Sequence, residues 1–202
     1  MSLDWKKWTR SDLLFGIILP VIAVFVIVLI SKLPSLVGGG YDDPTFGIVM
    51  GITMEIFELV IIVGVPLALG LLWNQWAGGA SGFLMGTFYA LYWSAGFNSI
   101  QGSGTVLLAY IISPMLIGYV AGALNHRSDN FKRILIAGIV ASTIGGIVMF
   151  TTFQLSPANV VTGATGFALT VLARILAAVL TAVVVKVFFW YGMSTQKHPN
   201  IP

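Results

Sequence analysis

Three charged side chains lie within segments of this sequence that are otherwise apolar. Glu55 and Glu58 fall in the stretch GITMEIFELVIIVGVPLALG, and Arg174 falls in a long apolar segment nearer the C-terminus. Carboxylates can bind a cation or carry protons, and a guanidinium can bind a carboxylate. Placing one such charge inside a membrane costs at least about 2.5–3.5 kcal/mol on insertion scales. These residues are therefore the first candidates for a binding site.

The spacing of the three charges predicts which of them meet. Glu55 and Glu58 share a helix face, because side chains at i and i+3 are neighbours. Glu55 follows Phe46 by nine residues, or about 14 Å of helix. Arg174 follows Gly166 by eight residues, or about 12 Å of helix. These similar depths predict an ion pair between Glu55 and Arg174, with Glu58 protonated or hydrogen-bonded beside it.

Three interpretations of these charges stay open on the sequence. They could form a structural salt bridge that ties the second apolar segment to the sixth. They could line a polar cavity, open to the outside, in which a substrate or ion is bound. They could also form part of a chain of carboxylates that carries protons, although neither His126 nor His198 lies inside an apolar segment to extend it.

Aromatic and polar side chains at the same predicted level could complete a pocket. Aromatic walls with a few convergent polar groups are typical of small-molecule sites. The alternative is an aromatic belt at the outer membrane interface, capped by loops. The candidate wall consists of Tyr89, Tyr92, Trp93 and Tyr110, and the candidate polar groups are Asn98, Gln101, Gln154 and Asn159.

The elements that position these residues are predicted to be membrane-spanning helices. Of the 202 residues, 57% are hydrophobic and only 8% are charged, whereas soluble domains carry about 25% charged residues. A span needs about 20 mostly apolar residues. We therefore expect an all-α, polytopic membrane protein, with one domain over residues 1–202 and six spans at roughly 12–31, 47–73, 80–98, 105–124, 133–153 and 166–192.

The distribution of basic residues predicts the orientation of these spans. Six spans place both termini on one side, and basic residues concentrate in cytoplasmic loops. Lys32 is the single basic residue on the opposite side. We therefore expect cytoplasmic termini and a multi-pass protein of the plasma membrane. The residues on the predicted inner side are Lys6, Lys7, Arg10, Arg127, Lys132, Arg133, Lys186 and Lys197.

Small residues recur every four positions along several predicted spans. Such stripes let membrane helices approach closely, because association in lipid depends on packing rather than on the hydrophobic effect. The stripes favour packing within the chain, and the alternative is a docking face for another subunit. The glycines concerned are Gly78, Gly82 and Gly86, then Gly118 and Gly122, then Gly138 and Gly146.

Several classes of function are disfavoured by what the sequence lacks. It contains no cysteine, which excludes disulfides and thiolate-ligated metals. It contains no G-x-x-x-x-G-K-[ST] phosphate loop, no H-E-x-x-H and no G-x-S-x-G motif. Basic runs with interleaved aromatics, typical of nucleic-acid binding, are also missing. We expect no enzyme activity, no cofactor, no metal and no nucleic-acid partner.

Residues 70–153 resemble the S components of energy-coupling factor (ECF) transporters. The stretch GLLWNQWAGGASGFLMGTFYAL is similar to the passage from their second span through a Gly-rich inner turn into the third. The stretch SPMLIGYVAGALNHRSDNFKRILIAGIVASTIGGIV is similar to their later segment of a Gly-rich helix, a basic cytoplasmic loop and a small-residue helix. The length, the six spans and the cytoplasmic termini match as well.

This resemblance implies a substrate-binding component of an uptake transporter for a vitamin-like molecule, with a pocket open to the outside. Such components work with a separate coupling subunit and two ATPase subunits. The first span reads FGIILPVIAVFVIV and lacks the Ala-x-x-x-Ala docking surface usual in that family. This departure favours the alternative, a non-catalytic accessory subunit of a larger membrane complex. A channel or proton-conducting subunit is a third possibility.

Overall fold

The computed structural model describes residues 10–22, 25, 55–96, 104–156 and 162–191, and every regular element among them is helical. Helix α1 comprises Arg10–Leu13 and the π-helical segment Leu14–Ile18 and continues to residue 22. Helix α2 is Glu55–Leu72 and includes the π-helical segment Val60–Gly64. The remaining helices are α3 (Gln75–Gly96), α4 (Gly104–Asn125), α5 (Phe131–Gln154) and α6 (Gly163–Trp190).

Four helices are long and apolar enough to cross a membrane by length and composition. They are Glu55–Leu72, Val106–Asn125, Phe131–Gln154 and Gly163–Trp190. The all-helical, multi-pass membrane architecture predicted from composition is thereby confirmed for the part of the chain that is described. The count of six spans and the cytoplasmic termini stay predictions, because residues 1–9, 26–54 and 192–202 lie outside the described ranges.

The turn between α2 and α3 is shorter than the sequence predicts. NQWAGG was expected to be a loop before a span at residue 80, but α3 already begins at Gln75. The side chain of Asn74 explains the early start, because its Oδ1 accepts a hydrogen bond from the backbone N–H of Ala77 at 2.8 Å. An Asn in this position satisfies one of the free N–H groups of a helix start. Gly78 and Gly79 therefore belong to the helix.

Each of the two π-helical segments precedes a proline by the same interval. Leu14–Ile18 ends two residues before Pro20, and Val60–Gly64 ends two residues before Pro66. A proline inside a helix removes one hydrogen bond and its ring clashes with the carbonyl four residues earlier. The wider π turn relieves this clash without ending the helix. Helix α2 can therefore carry Pro66 and still continue from Glu55 to Leu72.

Backbone contact between α3 and α4 is the closest helix–helix approach along the glycine stripes. A Cβ atom on Gly82 would lie 2.2 Å from the carbonyl oxygen of Pro114, and one on Gly118 would lie 2.1 Å from that of Gly78. Distances below 3.0 Å to backbone atoms leave no room for a side chain. Gly86 and Gly122 face the backbone of α4 and the start of α3 in the same manner. These glycines pack within the chain.

Gly138 and Gly146, the two glycines of the α5 stripe, are less tightly packed than those of α3 and α4. A Cβ atom on Gly138 would meet its nearest neighbours at 3.7 Å, which is ordinary van der Waals distance. One on Gly146 would lie 3.2 Å from the Cα of Val171 in α6. The same four-residue spacing thus corresponds to close backbone contact between α3 and α4 and to ordinary packing at Gly138.

Helix α2 occupies the centre of the bundle and contacts α3, α4, α5 and α6. The later helices pack in chain order, α3 on α4, α4 on α5 and α5 on α6, while α1 lies against α3. The buried core is apolar and includes Ile62, Leu67 and Leu71 of α2. A single central helix therefore meets side chains from four others.

The connections predicted to be on the inner side lie together at one end of the bundle. The side chain of Asn125 donates to the carbonyl oxygen of Leu71 at 3.0 Å. Arg127 donates through Nε to the carbonyl oxygen of Trp73 at 2.6 Å. Lys186 donates to the carbonyl oxygen of Asp129 at 2.9 Å. The ends of α2 and α4, the loop before α5 and the C-terminal half of α6 thus share one face.

Candidate functional site

Glu58 is the centre of a polar cluster in the half of the bundle farther from these connections. One carboxylate oxygen, Oε1, lies 3.1 Å from Nη2 of Arg174 and forms an ion pair with it. The other oxygen, Oε2, accepts hydrogen bonds from the hydroxyl groups of Tyr89 at 3.0 Å and Tyr110 at 3.4 Å. The carboxylate thus has three donors, and each comes from a different helix.

Arg174 is almost completely buried. Only 6% of its side chain is exposed, compared with 18% for Glu58. Its Nη1 donates to the carbonyl oxygen of Thr170, one helical turn earlier, at 2.9 Å. Its Nη2 also contacts Sδ of Met149, whereas its Nε is buried with no hydrogen-bond partner. One N–H group of a buried guanidinium is therefore unsatisfied.

Five helices contribute one side chain each to this Glu58 cluster. The members are Glu58 from α2, Tyr89 from α3, Tyr110 from α4, Met149 from α5 and Arg174 from α6. The rings of Tyr89 and Tyr110 are 5.1 Å apart at 52°, within the range for favourable aromatic pairs. The cluster therefore forms where the central helix meets all four of its main neighbours.

The predicted ion pair between Glu55 and Arg174 is wrong, because Arg174 pairs with Glu58. The depth estimate started the last helix at Gly166, but α6 begins at Gly163. Three residues add about 4.5 Å of helix, which moves Arg174 nearly one turn deeper, toward the level of Glu58. Glu55, one turn nearer the start of α2, is exposed.

Among the aromatic candidates, Tyr89 and Tyr110 are brought to the cluster. Tyr92 and Trp93 belong to α3, but their side chains lie outside the described set. Asn98, Gln101 and Asn159 fall in ranges that are not described. Gln154 is the exposed last residue of α5.

Two members of the environment of Arg174 were not predicted. The carbonyl of Thr170 could have been found from helical spacing, since a residue four positions earlier lies on the same face. Met149 carries no such signal, because methionine in an apolar helix is an ordinary packing residue. Its sulfur nevertheless supplies the soft, uncharged neighbour that the guanidinium contacts in α5.

The side chains of the Glu58 cluster can bind a charged ligand, or one with hydrogen-bond donors and acceptors, without a metal. Over the described ranges, no group of three or more His, Cys, Asp or Glu side chains is placed to hold a metal ion. Glu58 and Arg174 carry opposite charges, so the pair is neutral as a whole. The two tyrosine hydroxyls hold one carboxylate oxygen and leave the other to the guanidinium.

Comparison of the whole chain with protein-family models, with curated proteins and with solved structures found no match.

Proposed function

We propose that this chain is the substrate-binding integral membrane component of a small-molecule uptake transporter in the plasma membrane. The binding site is the Glu58 cluster, reached from the outer side. The observation that carries this proposal is a buried arginine with an unpaired Nε beside a carboxylate held by two tyrosines. A ligand that accepts a hydrogen bond would satisfy this donor.

Stability alone gives a weak reason for such a pair. Removing two charges from water costs several kcal/mol per ion, and apolar residues of similar volume often replace a buried ion pair without loss of stability. A five-helix junction could therefore be held by leucine or methionine. The unsatisfied Nε of Arg174 adds a further penalty of about 1–3 kcal/mol. Ligand recognition accounts for both the retained charges and the unpaired donor.

The position of the cluster supports access from outside. Glu58 and Arg174 lie in the N-terminal halves of α2 and α6, and Tyr110 lies near the start of α4. All three helices run toward the face that carries Arg127 and Lys186. In the orientation predicted from the basic residues, the cluster lies in the outer half of the membrane. The 18% exposure of the Glu58 side chain is consistent with a route to the pair.

Energy for uptake would come from partner subunits. The sequence has no phosphate-binding loop. The energy for uptake would therefore come from a coupling subunit and ATPase subunits, as the resemblance to ECF S components implies. Besides these, the proposed partners are the lipid bilayer and the small-molecule ligand.

Native mass spectrometry on the protein gently extracted from its own membranes tests this function. We expect a retained small mass, or co-purifying ATPase subunits, in the native protein. The double variant Glu58→Leu/Arg174→Met should lose the small mass while remaining folded. The control Glu55→Gln, one helical turn away and exposed, should keep it. An unchanged mass in the double variant would disprove binding at the cluster.

An accessory subunit of a larger membrane complex is the second candidate function. It is favoured by the fact that both oxygens of Glu58 already have partners inside the chain. A stable assembly with other integral subunits and no small ligand would support it. In that case, Glu58→Leu/Arg174→Met would leave the assembly intact.

A further inference from the structure

On one edge of the Arg174 guanidinium, Nη2 has a hydrogen-bond partner and Nε has none. Nε and Nη2 lie on the same edge of a guanidinium, and this edge binds a carboxylate through two parallel hydrogen bonds. Here Nη2 contacts Oε1 of Glu58 at 3.1 Å and also Sδ of Met149, while Nε is buried without a partner. The arginine therefore binds a carboxylate at one point, whereas its Nε–Nη2 edge can bind one at two points.

The tyrosines explain why Glu58 does not complete this contact. Its second oxygen, Oε2, is held by the hydroxyl groups of Tyr89 at 3.0 Å and Tyr110 at 3.4 Å. With Oε2 held in this way, Oε1 is the oxygen that pairs with the guanidinium. A buried donor without a partner is unfavourable. The edge of Arg174 is thus suited to a carboxylate other than that of Glu58.

The charge balance of the site restricts which ligand can provide that carboxylate. Glu58 and Arg174 are neutral together, and an uncompensated charge inside a membrane is strongly unfavourable. A simple carboxylate would displace Glu58 from Arg174 and leave the site with a net negative charge. A simple ammonium ion would do the reverse. A ligand with both charges can occupy both partners and keep the total at zero.

We propose that the Glu58 cluster binds a compact zwitterion of the amino-acid type. The ligand carboxylate takes the Nε–Nη2 edge of Arg174, and the ligand ammonium group donates to Oε1 of Glu58. Tyr89 and Tyr110 keep Oε2 in place and flank the body of the ligand. The ligand is compact because the two protein charges are in direct contact. This inference names the substrate class for the proposed uptake function and rests on that function.

The test uses the purified full chain in lipid nanodiscs and compares zwitterions with their half-analogues. The probes are L-leucine, 3-methylbutylamine, which lacks the carboxylate, and 4-methylpentanoate, which lacks the ammonium group. A fourth probe, 6-aminohexanoate, separates the two charges widely. Calorimetry should give a dissociation constant for L-leucine at least tenfold lower than for any other probe. Equal binding of a half-analogue would overturn the inference.

Two variants locate the binding at the arginine edge. Arg174→Lys keeps a positive charge opposite Glu58 but has no planar edge for a carboxylate. We expect it to weaken L-leucine binding at least tenfold, while Glu55→Gln leaves binding unchanged. Wild-type affinity in Arg174→Lys would overturn the proposed geometry.

Failure of this inference can be told from failure of the proposed function. If the amino-acid probe does not bind but native mass spectrometry finds another small mass at the cluster, the zwitterion assignment is wrong and the binding function stands. If neither experiment finds a ligand, both are wrong.

Discussion

The glycine interface between α3 and α4 and the Glu58 cluster join helices in opposite ways. Along the interface, contact depends on missing side chains, with backbone atoms placed where the Cβ atoms of Gly82 and Gly118 would otherwise lie. In the cluster, contact depends on single long side chains that reach from α6, α3 and α4 to Glu58 of α2. The glycine interface extends along both helices, whereas the contacts of the cluster all converge on one residue, Glu58.

This difference affects how each region tolerates change. Backbone atoms cannot rotate away from an added methyl group, so the interface has no means of adapting. A polar cluster can adapt by losing both members of a pair together, because a neutral apolar replacement removes the desolvation penalty as well. We therefore expect single changes to damage both regions, but a second change to repair only the cluster.

The largest expected effect concerns the ion pair. Arg174→Met alone leaves Glu58 as an uncompensated buried charge, and we expect a loss of about 3–5 kcal/mol in the free energy of unfolding. Glu58→Leu/Arg174→Met should recover most of this loss, whereas Glu55→Gln should be neutral. Reversible denaturant unfolding in detergent micelles measures all three. A double variant as unstable as the single one would show that packing, not charge, dominates.

The glycine interface should show the next largest effect. Gly118→Ala places a Cβ atom 2.1 Å from the carbonyl oxygen of Gly78, and we expect about 3 kcal/mol of destabilisation, the upper end for overpacking. Gly138→Ala is the matched control, because its Cβ atom would meet its neighbours at 3.7 Å. Thermal unfolding of both variants compares them. Equal melting temperatures would contradict the backbone contact.

Removal of one tyrosine hydroxyl should have a smaller effect. Tyr89→Phe removes a hydrogen bond of 3.0 Å to Glu58, and a bond to a charged group contributes about 1.5–3 kcal/mol. Tyr110→Phe should cost less, because its bond is longer at 3.4 Å. Tyr119→Phe, at a partly exposed site near Trp76, serves as the control. The reverse order of the two losses would show that Tyr110 is the main partner of Glu58.

The smallest expected effect is a difference in stability between alanine variants of two buried serines. Ser113 donates from α4 to the carbonyl oxygen of Gly145 in α5 at 2.9 Å, and such interhelical bonds average about 0.6 kcal/mol in membranes. Ser113→Ala should be destabilising by about this amount. Ser142→Ala should be neutral or stabilising, because the Ser142 hydroxyl is buried without a partner. Unfolding in the same detergent gives both values, and a larger loss in Ser142→Ala would reject this assignment.

The sequence predicts which charged residues belong to the cluster, but it does not predict which carboxylate pairs with Arg174. Charged residues in apolar segments mark Glu58 and Arg174 directly, since the energetic cost of such residues demands a partner. The choice between Glu55 and Glu58 depended on the relative depth of α2 and α6, and α6 begins at Gly163, three residues before the start that the sequence predicts. Local sequence near that start contains Gly and Thr at several positions, which fit a loop as well as a first helical turn.

The glycine stripes illustrate the same limit. Spacing of four residues predicted close approach in α3, α4 and α5 alike, but only contacts between elements distant in sequence show which stripe meets backbone. Gly118 meets Gly78 across 40 positions of sequence, whereas Gly138 has room for a methyl group. Periodicity describes one helix face and carries no information about what lies opposite.

Composition and periodicity alone determined that this chain forms apolar helices that span a membrane, because lipid leaves the backbone few other ways to satisfy its hydrogen bonds. They also determined that its few buried charges must be paired. The tertiary structure alone decided that Glu58 is the partner of Arg174, that Tyr89 and Tyr110 share its second oxygen, and that Nε of Arg174 is left free. These facts depend on the relative depth and rotation of five helices, which packing sets and no single segment encodes.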